Sequence, residues 1–475
     1  MPGVPATFSG LCRAKTCGLA LHLIVESANK HTLATIVGAG PVGLLLGCLL
    51  QRYGVNCQII EQEENRSNLT KALMIHSASL DILQHIKVVD DVIQQGIIQK
   101  SINFDVDGQK RYTLDFTKLT NSSYPYFLNI RQPLLEEILE RKYIESGGIL
   151  LRGYKFISAI NTSNSVTLSL SYKNNIIEWV APWLVGCDGA NSSVRKSINM
   201  PFSGIDYPYS YVLAEGIPNK PVSNNSSYML INSSSALSIL PMDNGEVRIA
   251  GPALCEDLSD KEINQETAEE IFVNTNLQNI PEIIKYSAIR QYKVRERLAD
   301  KFSKGRIILC GDAAHIHSPT GGQAMNLGFG DAFSLAWRLA LHNNLDKSII
   351  QYGDERRYIA KAVIENTKIT NLLSKLRNSD VSKSYLEDMT KSFSQLYHHI
   401  CAKHEPLCSS SLSIGSRVPN LLLDINCSLW SKIESGWVDL NSKSVTSQAL
   451  FDIYKKNVVI KIRPDFIIEK IQAKD

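Results

Sequence analysis

Apolar and polar positions follow two rhythms along this chain. In "TLATIVGAGPVGLLLGCLLQRYGVNCQIIEQ" (32–62) a short apolar run enters a glycine-rich turn. A longer apolar stretch follows and stops at Gly54, and a second short run, Val55 to Ile60, ends at Glu61. Short apolar runs bounded by glycine read as buried strands and the longer one as a buried helix, so the segment predicts a βαβ unit. "KALMIHSASLDILQHI" (71–86) spaces its apolar residues as an amphipathic helix does, and "IRQPLLEEILERKYIESGG" (130–148) predicts another helix, opened by Gln132 and stopped at Gly147 and Gly148. In "WVAPWLVGCDGANSSVRKSI" (179–198) a strand runs into Cys187-Asp188-Gly189 and then a polar stretch carrying Arg195. "GRIILCGDAAHIHSPTGGQAMNLGFGDAFSLAWRLA" (305–340) predicts a strand ending at Gly311-Asp312, a turn at Pro319-Thr320-Gly321-Gly322, and an apolar helix from roughly Ala324 to Leu341.

Between 200 and 300 the rhythm shortens to β-like runs separated by Ser/Asn-rich loops, with Asn244-Gly245 as a hairpin turn. Together with alternating runs at 101–116, this predicts an antiparallel sheet inserted between parts of an α/β domain, and it is taken as the substrate domain. Residues 345–400 read as charged helix, and a small β-containing tail ends the chain. No internal repeat is visible.

Composition narrows the classes. The 475 residues carry 50 Lys and Arg against 47 Asp and Glu, a formal charge of +3. No dense basic block interleaved with aromatics occurs, so a nucleic-acid surface is not predicted. The 10 cysteines show no CxxC or zinc-type spacing and read as free thiols in a reducing compartment, here the cytoplasm. "CGLALHLIV" (17–25) is far shorter than the ~20 residues that span a bilayer. Residues 1–32 are expected to be a poorly ordered extension, with a targeting segment as the lesser alternative.

The chemistry begins at Gly38-Ala39-Gly40-Pro41-Val42-Gly43. In such a βαβ turn the first glycine permits the tight turn, the second lets a pyrophosphate approach the backbone, and the third lets helix and strand pack closely. The helix N-terminus offers amides to phosphate, and Glu61 stands where a carboxylate accepts from a ribose. At this point FAD and NAD remain equally compatible. His315 and His317 would share a strand face, but no further ligands accompany them and no metal is expected.

Three separated segments, GAGPVG with distal Glu61, "CDGANSSVR" and "GDAAHIHSPTGGQAMN", together resemble the single-component FAD-dependent aromatic monooxygenases, the group containing phenol and polyketide hydroxylases. The resemblance covers roughly 33–345. It implies an α/β fold: a discontinuous Rossmann-like FAD-binding domain (33–100, 117–200, 300–345), a substrate-binding β domain (101–116, 201–299) and a helical segment (346–405). "GSRVPNLLL" and "VVIKIRPDFIIEK" resemble parts of the thioredoxin-like domain that ends such enzymes, implying an abbreviated version at 410–475.

The same resemblance implies that Asp312 binds the ribityl chain of FAD, that Gly38, Gly40, Pro41, Val42, Gly43 and Glu61 hold its ADP half, and that Gln132 also contacts the cofactor. Asp188 and Arg195 belong to a motif linked to both FAD and NADPH. Gly311, Pro319, Gly321, Gly322, Gln323, Ala324, Met325 and Asn326 surround the flavin ring, with the helix N-terminus stabilising its reduced anion.

The implied activity uses NADPH or NADH and O₂ to hydroxylate an aromatic substrate through a flavin C4a-hydroperoxide, without a protein nucleophile; a homodimer is compatible. A phenol-deprotonating base could come from Tyr207, Tyr209 or Tyr211, although packing is their commoner role, and none is assigned. Two departures stand out. Lys71 replaces the usual arginine, with Arg66 as a candidate substitute, and Ala324 replaces a usual glycine, which is harmless at negative φ. A non-hydroxylating flavin oxidoreductase and a degenerate flavin-binding scaffold remain the alternatives.

Overall fold

The computed structural model describes residues 32–118, 123–232, 235–253, 263–341 and 344–367, with the strands Leu422–Asp424, Cys427–Ser428, Val438–Leu440, Val458–Ile462 and Ile468–Ala473. The extension 1–31 lies outside these residues. The expected thioredoxin-like region lies outside them too, apart from those strands.

A central sheet runs in the order Ser303–Lys304, Ile307–Leu309, Trp183–Gly186, Ala34–Val37, Cys57–Glu61, Ile149–Arg152. All its pairings are parallel except that of the edge strand Ser303–Lys304. In chain order the five parallel strands lie 3-2-1-4-5, the doubly wound arrangement whose strand order reverses between Ala34–Val37 and Trp183–Gly186. Ligands bind outside the carboxyl ends of such strands at that reversal. The glycine loop, Asp188 and Asp312 each follow one of these carboxyl ends, so three distant segments meet at one edge.

The helix Pro41–Arg52 is apolar nearly all round because it is covered on several sides. It packs against the sheet, the helix Gln132–Glu145 and the helix Gln323–Leu341. Gly47 is what lets Gln132–Glu145 approach, since a Cβ there would lie 2.8 Å from the Tyr143 ring.

The second sheet has eight strands, in the order His315–Ile316, Ile283–Ala299, Phe202–Pro218, Val247–Ala253, Ala236–Pro241, Ser226–Ile231, Ser101–Val106, Gln109–Asp115. It is not wholly antiparallel as expected, because Ser226–Ile231 runs parallel to Ser101–Val106. The two strands come from separate passes of the chain, so no hairpin dictates their relative direction. The turn at Asn244-Gly245 is present, with both residues at positive φ (57° and 74°). One face of this sheet buries Val212, Ala214, Leu237 and Ile249 against Ala268, Ile271 and Phe272 of the helix Gln265–Asn274. The other face, carrying Tyr211, Leu213, Glu215, Arg248, Arg290 and Tyr292, turns toward the nucleotide-binding part.

The helix expected over 71–86 begins only at Ser77 and ends at His85. Met74 and Ile75 instead pair as a strand with Leu128 and Asn129, and their burial there outweighs helical continuity. A three-stranded antiparallel sheet, Lys155–Asn161, Val166–Tyr172 and Asn175–Ala181, had no counterpart in the sequence pattern. Its outer face exposes Ile160, Ile176 and Val180, which spoils the alternation of period two. Of the helical segment expected over 346–405, the helix Leu345–Thr367 falls within the described residues.

Candidate active site

The glycine loop divides its glycines by role. Gly38 has φ 106°, and a Cβ there would sit 2.5 Å from the Cys187 carbonyl oxygen. A Cβ on Gly43 would meet the Gly38 carbonyl oxygen at 2.0 Å. Around Gly40 nothing lies within 4 Å of that position. Two glycines therefore serve packing, while the third borders open space. The first bond of the helix Pro41–Arg52 is Leu44 N–H to Gly40 O at 3.0 Å, so the N–H groups of Val42 and Gly43 have no intrahelical acceptor. Pro41 at the first position has no N–H to satisfy. Glu61 closes the loop from the neighbouring strand end: its Oε2 accepts from Ala39 N–H at 2.8 Å, and its Oε1 from Glu63 N–H at 3.0 Å.

Asp188 caps the short helix Ser193–Ser197. It accepts from Ser192 Oγ (2.5 Å), Ser193 N–H (2.6 Å) and Val194 N–H (3.1 Å), while burial raises its pKa. Arg195 leaves this helix to donate to the carbonyls of Ala313 and Ala190, each at 2.9 Å, with its guanidinium 3.7 Å above the Phe202 ring. Through Ala313 the second motif is tied to the third.

Gly311 adopts φ 63°, and its N–H donates to Asp331 at 3.0 Å. That turn presents Asp312, which is half-buried and whose carboxylate receives no hydrogen bond among the described residues. Its role is therefore not that of a helix cap. Burial raises its pKa, with His315 and Lys71 pulling it back. Beneath it, fully buried Asp331 accepts from His315 Nε2 and Arg356 Nε, each at 2.6 Å. Burial opposes its ionisation, but Arg356 and His315 outweigh burial and hold its pKa at about 2. His315 is thereby committed to Asp331, and His317 Nδ1 donates to the Ser318 carbonyl at 2.9 Å.

The turn after Pro319 places Gly321 (φ 78°) and Gly322 (φ 63°) ahead of the helix Gln323–Leu341. A Cβ on Gly322 would lie 2.9 Å from Met74. Asn326 acts as a strut: its Nδ2 donates to Gly322 O (2.7 Å) and Met74 O (3.0 Å), and its Oδ1 accepts from His76 N–H (2.8 Å). Burial drives the His76 pKa down to about 3, so the neutral ring donates from Nε2 to Gly321 O at 3.0 Å. Buried Gln323 keeps Oε1 without a partner among the described residues, and Met325 beside it is buried. Ala324 lies inside the helix and outside the residues of positive φ, so its side chain introduces no strain.

Gln132 accepts from Ala72 N–H at 2.9 Å and donates to Glu136 at 2.7 Å. Lys71 is exposed. Arg66 does not take its place, since it pairs with Glu137 at 3.4 Å and Glu140 at 3.9 Å. The three candidate tyrosines lie along Phe202–Pro218. The Tyr207 and Tyr209 rings are 5.1 Å apart, and burial raises the pKa of both, with Glu296 adding to the rise at Tyr207. Neither is poised as a base.

Sequence reasoning missed the charged network where the two sheets meet. Glu215 accepts from Arg248 Nε at 2.9 Å, and Arg131 reaches Asp243 at 2.7 Å and Glu246 at 2.5 Å. Arg248 also donates to the carbonyls of Lys71 and Thr70, each at 3.1 Å. Asp331 did carry a signal, as the one carboxylate inside the long apolar helix Gln323–Leu341.

An open backbone at Gly40, unbonded amides at Val42 and Gly43, an unbonded carboxylate at Asp312 and an orphaned amide oxygen at Gln323 all fit an extended dinucleotide. A family model described as an FAD binding domain matches residues 31–367. The chain belongs to this FAD-binding family.

Among its relatives is rifampicin monooxygenase of Rhodococcus hoagii, 28% identical over 397 residues, 76% of this chain and 78% of that protein. 6-Methylpretetramide 4-monooxygenase of Streptomyces rimosus is 26% identical over 353 residues, 72% of this chain, and the match spans only 62% of that relative's length. Among solved structures, the OxyS anhydrotetracycline hydroxylase of Streptomyces rimosus superposes with a TM-score of 0.74 at 23% identity, covering 93% of this chain and 95% of that one. A ternary complex of aklavinone-11 hydroxylase with FAD and aklavinone gives 0.74 at 20%, covering 93% and 96%. The solved structures show the fold, and the family match gives FAD as the cofactor. Among the described residues no helix is long and apolar enough to cross a membrane.

Proposed function

We propose that this chain is an FAD-dependent monooxygenase that uses NADPH or NADH and O₂ to hydroxylate an aromatic, phenolic or polyketide-like substrate. The observation that carries the reading is Asp312, a half-buried carboxylate with no hydrogen bond among the described residues, held at the carboxyl end of Ile307–Leu309, next to the strand-order reversal, by a buried network. Relatives that are monooxygenases of 6-methylpretetramide, pentachlorophenol and anhydrotetracycline support the same class.

The cofactor supplies reduction by nicotinamide and activation of O₂, and the protein supplies binding, orientation and exclusion of water. In this reading Gly38, Gly40, Pro41, Val42 and Gly43 with Glu61 take the adenosine diphosphate half, and Asp312 takes the ribityl hydroxyls. Gly321, Gly322 and Gln323 present backbone and a helix N-terminus to the ring, where negative charge is stabilised by about 0.3–2 kcal/mol. Asn326, Gln132, Asp188 and Arg195 hold these segments in place. The eight-stranded sheet supplies the substrate wall, with the domain limits set out above. The unpaired thiols of Cys48, Cys57, Cys187 and Cys310 favour a reducing compartment, the cytoplasm.

The test is the purified protein's absorbance spectrum, followed by NADPH consumption and product analysis across a phenolic panel. A yellow protein whose NADPH oxidation rises with substrate and yields hydroxylated product is expected. Bound flavin that no nicotinamide reduces would favour a scaffold role, and reduction without oxygen insertion a non-hydroxylating oxidoreductase.

A further inference from the structure

Cys187 and Cys310 follow the carboxyl ends of two neighbouring parallel strands, Trp183–Gly186 and Ile307–Leu309. Gly186 stands beside Leu309 in the register, which makes Cys187 and Cys310 the next pair, and Cys310 N–H donates to Gly186 O at 3.0 Å, carrying the ladder on to them. In-register neighbours on adjacent strands share a face, and the two thiols lie within hydrogen-bonding reach of each other. Both are free. Cys187 is half-buried and Cys310 fully buried, so an oxidant arriving from solvent meets Cys187 first, with Cys310 beside it.

A metal would need further ligands, and among the described residues no group of three His, Cys, Asp or Glu converges. Two adjacent thiols can instead close into a disulfide. Neighbouring strands lie about 4.7–4.9 Å apart, inside the Cα separation of about 4.4–6.8 Å that a disulfide spans but below its commonest value of about 5.5–6 Å. Closure therefore presses the two strand ends apart, and little slack remains there. Cys187 N–H donates to Val37 O at 2.8 Å, and Cys187 O lies 2.5 Å from the place a Cβ on Gly38 would take. A Cβ on Gly43 would come within 3.3 Å of the Cys187 Cβ. Cys310 leads directly into Gly311, whose φ of 63° sets the turn that presents Asp312.

We propose that Cys187 and Cys310 form a reversible thiol–disulfide pair whose oxidation by a peroxide loosens the hold on FAD. The Cys187 sulfur attacks one oxygen of hydrogen peroxide, breaking the O–O bond and giving a sulfenic acid and water. The Cys310 sulfur then displaces the sulfenic hydroxyl, forming the S–S bond, and the Cys310 proton leaves with that hydroxyl as a second water. Two thiols lose two electrons as one peroxide is reduced. Burial, and after it the contact with Cys187, raise the Cys310 pKa well above that of an ordinary thiol. Little thiolate is present, so closure answers sustained oxidant, over about minutes to hours. The effect on FAD rests on the reading of Gly38 and Asp312 as cofactor-binding residues and is independent of hydroxylation.

FAD-loaded protein is treated with hydrogen peroxide, alkylated to block the remaining thiols, digested with trypsin and mapped by mass spectrometry. Cleavage after Lys173, Arg195, Arg306 and Arg338 leaves each cysteine alone on its own peptide, 174–195 and 307–338. These two peptides should be found joined, two hydrogens lighter than their sum and separable by dithiothreitol, with the buried thiols of Cys48 and Cys57 still free. After removal of the cofactor, FAD titrated back by fluorescence quenching should bind about fivefold or more weakly to treated than to untreated protein, equivalent to about 1 kcal/mol, and dithiothreitol should restore the affinity. Cys187→Ser and Cys310→Ala should each show the same affinity with and without peroxide. Comparing each variant with its own untreated sample cancels any general loosening of the fold. Peptides that never join, Cys187 carried on to the sulfinic acid with Cys310 untouched, a joined pair with unchanged FAD affinity, or a peroxide effect that persists in both variants would each overturn the pair. Failure of the cofactor reading looks different: the untreated protein does not bind FAD.

Discussion

Asp312 has a buried network beneath it and no hydrogen-bond partner among the described residues, and that contrast predicts how it fails. Asp312→Ala removes a charged acceptor, worth about 1.5–3 kcal/mol to a bound hydroxyl pair, or about tenfold to a hundredfold in FAD affinity. Because no protein group loses a bond, the variant should fold with nearly unchanged stability, purify largely colourless and regain part of its NADPH oxidation in excess FAD. Titration of FAD into both apoproteins by fluorescence quenching decides it; equal dissociation constants would remove Asp312 from the site. Residues of this kind were legible in the sequence because each sits beside its own strand end, so that strand, glycine and acid can be read in one window. Gln132, Asp188, Arg195 and Asn326 were also read as cofactor or motif residues, but the structure engages their side chains with protein groups. No local pattern reveals the long-range part of that, because Ala72 for Gln132, Ala313 for Arg195 and Met74 for Asn326 lie far away in sequence.

At the scale of elements, the helix Gln323–Leu341 is anchored in two places, by Asn326 at its start and by Asp331 two turns on. The helix itself was legible from its apolar run. Its attachments were not, since Asp331 meets His315 and Arg356 from two other elements. Asp331→Asn leaves an arginine in the core without its counter-charge, a change that costs about 3–5 kcal/mol. It also weakens the acceptor of Gly311 N–H, which sets the turn carrying Asp312. We expect a large loss in chemical denaturation midpoint, with a loss of FAD affinity smaller than that of Asp312→Ala. The reverse ranking would mean that Asp331 acts on the cofactor rather than on the fold. The eight-stranded sheet was foreseen as a texture, whereas its one parallel pairing was not, because relative strand direction across separate chain passes leaves no periodic trace.

At the scale of the whole molecule, pH and the junction between the two sheets set stability. His76 and His85, with pKa values near 3, and His317, near 4, are held neutral mainly by burial, whereas unfolded histidine titrates at about 6.5. Below that pH the unfolded chain binds protons that the fold refuses, so stability falls as pH drops from about 6.5 toward 4. Asp188 and Asp312, raised by burial, act in the opposite sense at lower pH, and Asp331 withdraws its contribution only on approach to about pH 2. Urea midpoints at pH 7 and pH 5 should show the decline, and an unchanged midpoint would mean that these histidines are solvated.

The junction itself depends on Glu215 and Arg248, both nearly fully buried, with Arg248 also holding the Thr70 and Lys71 carbonyls of the nucleotide-binding part. Glu215→Gln strands the buried Arg248 charge and should cost about 3–5 kcal/mol, whereas Arg248→Met leaves Glu215 the more distant Arg131 at 3.4 Å and should cost less. The double variant should cost clearly less than the sum, because neither charge is then left unpaired. Arg248→Met should in addition lower FAD affinity, since the Lys71 turn loses its anchor, whereas Glu215→Gln should do so less. Additive stability losses would show that Glu215 and Arg248 act independently, and equal FAD affinities in the two single variants would sever Arg248 from the cofactor site.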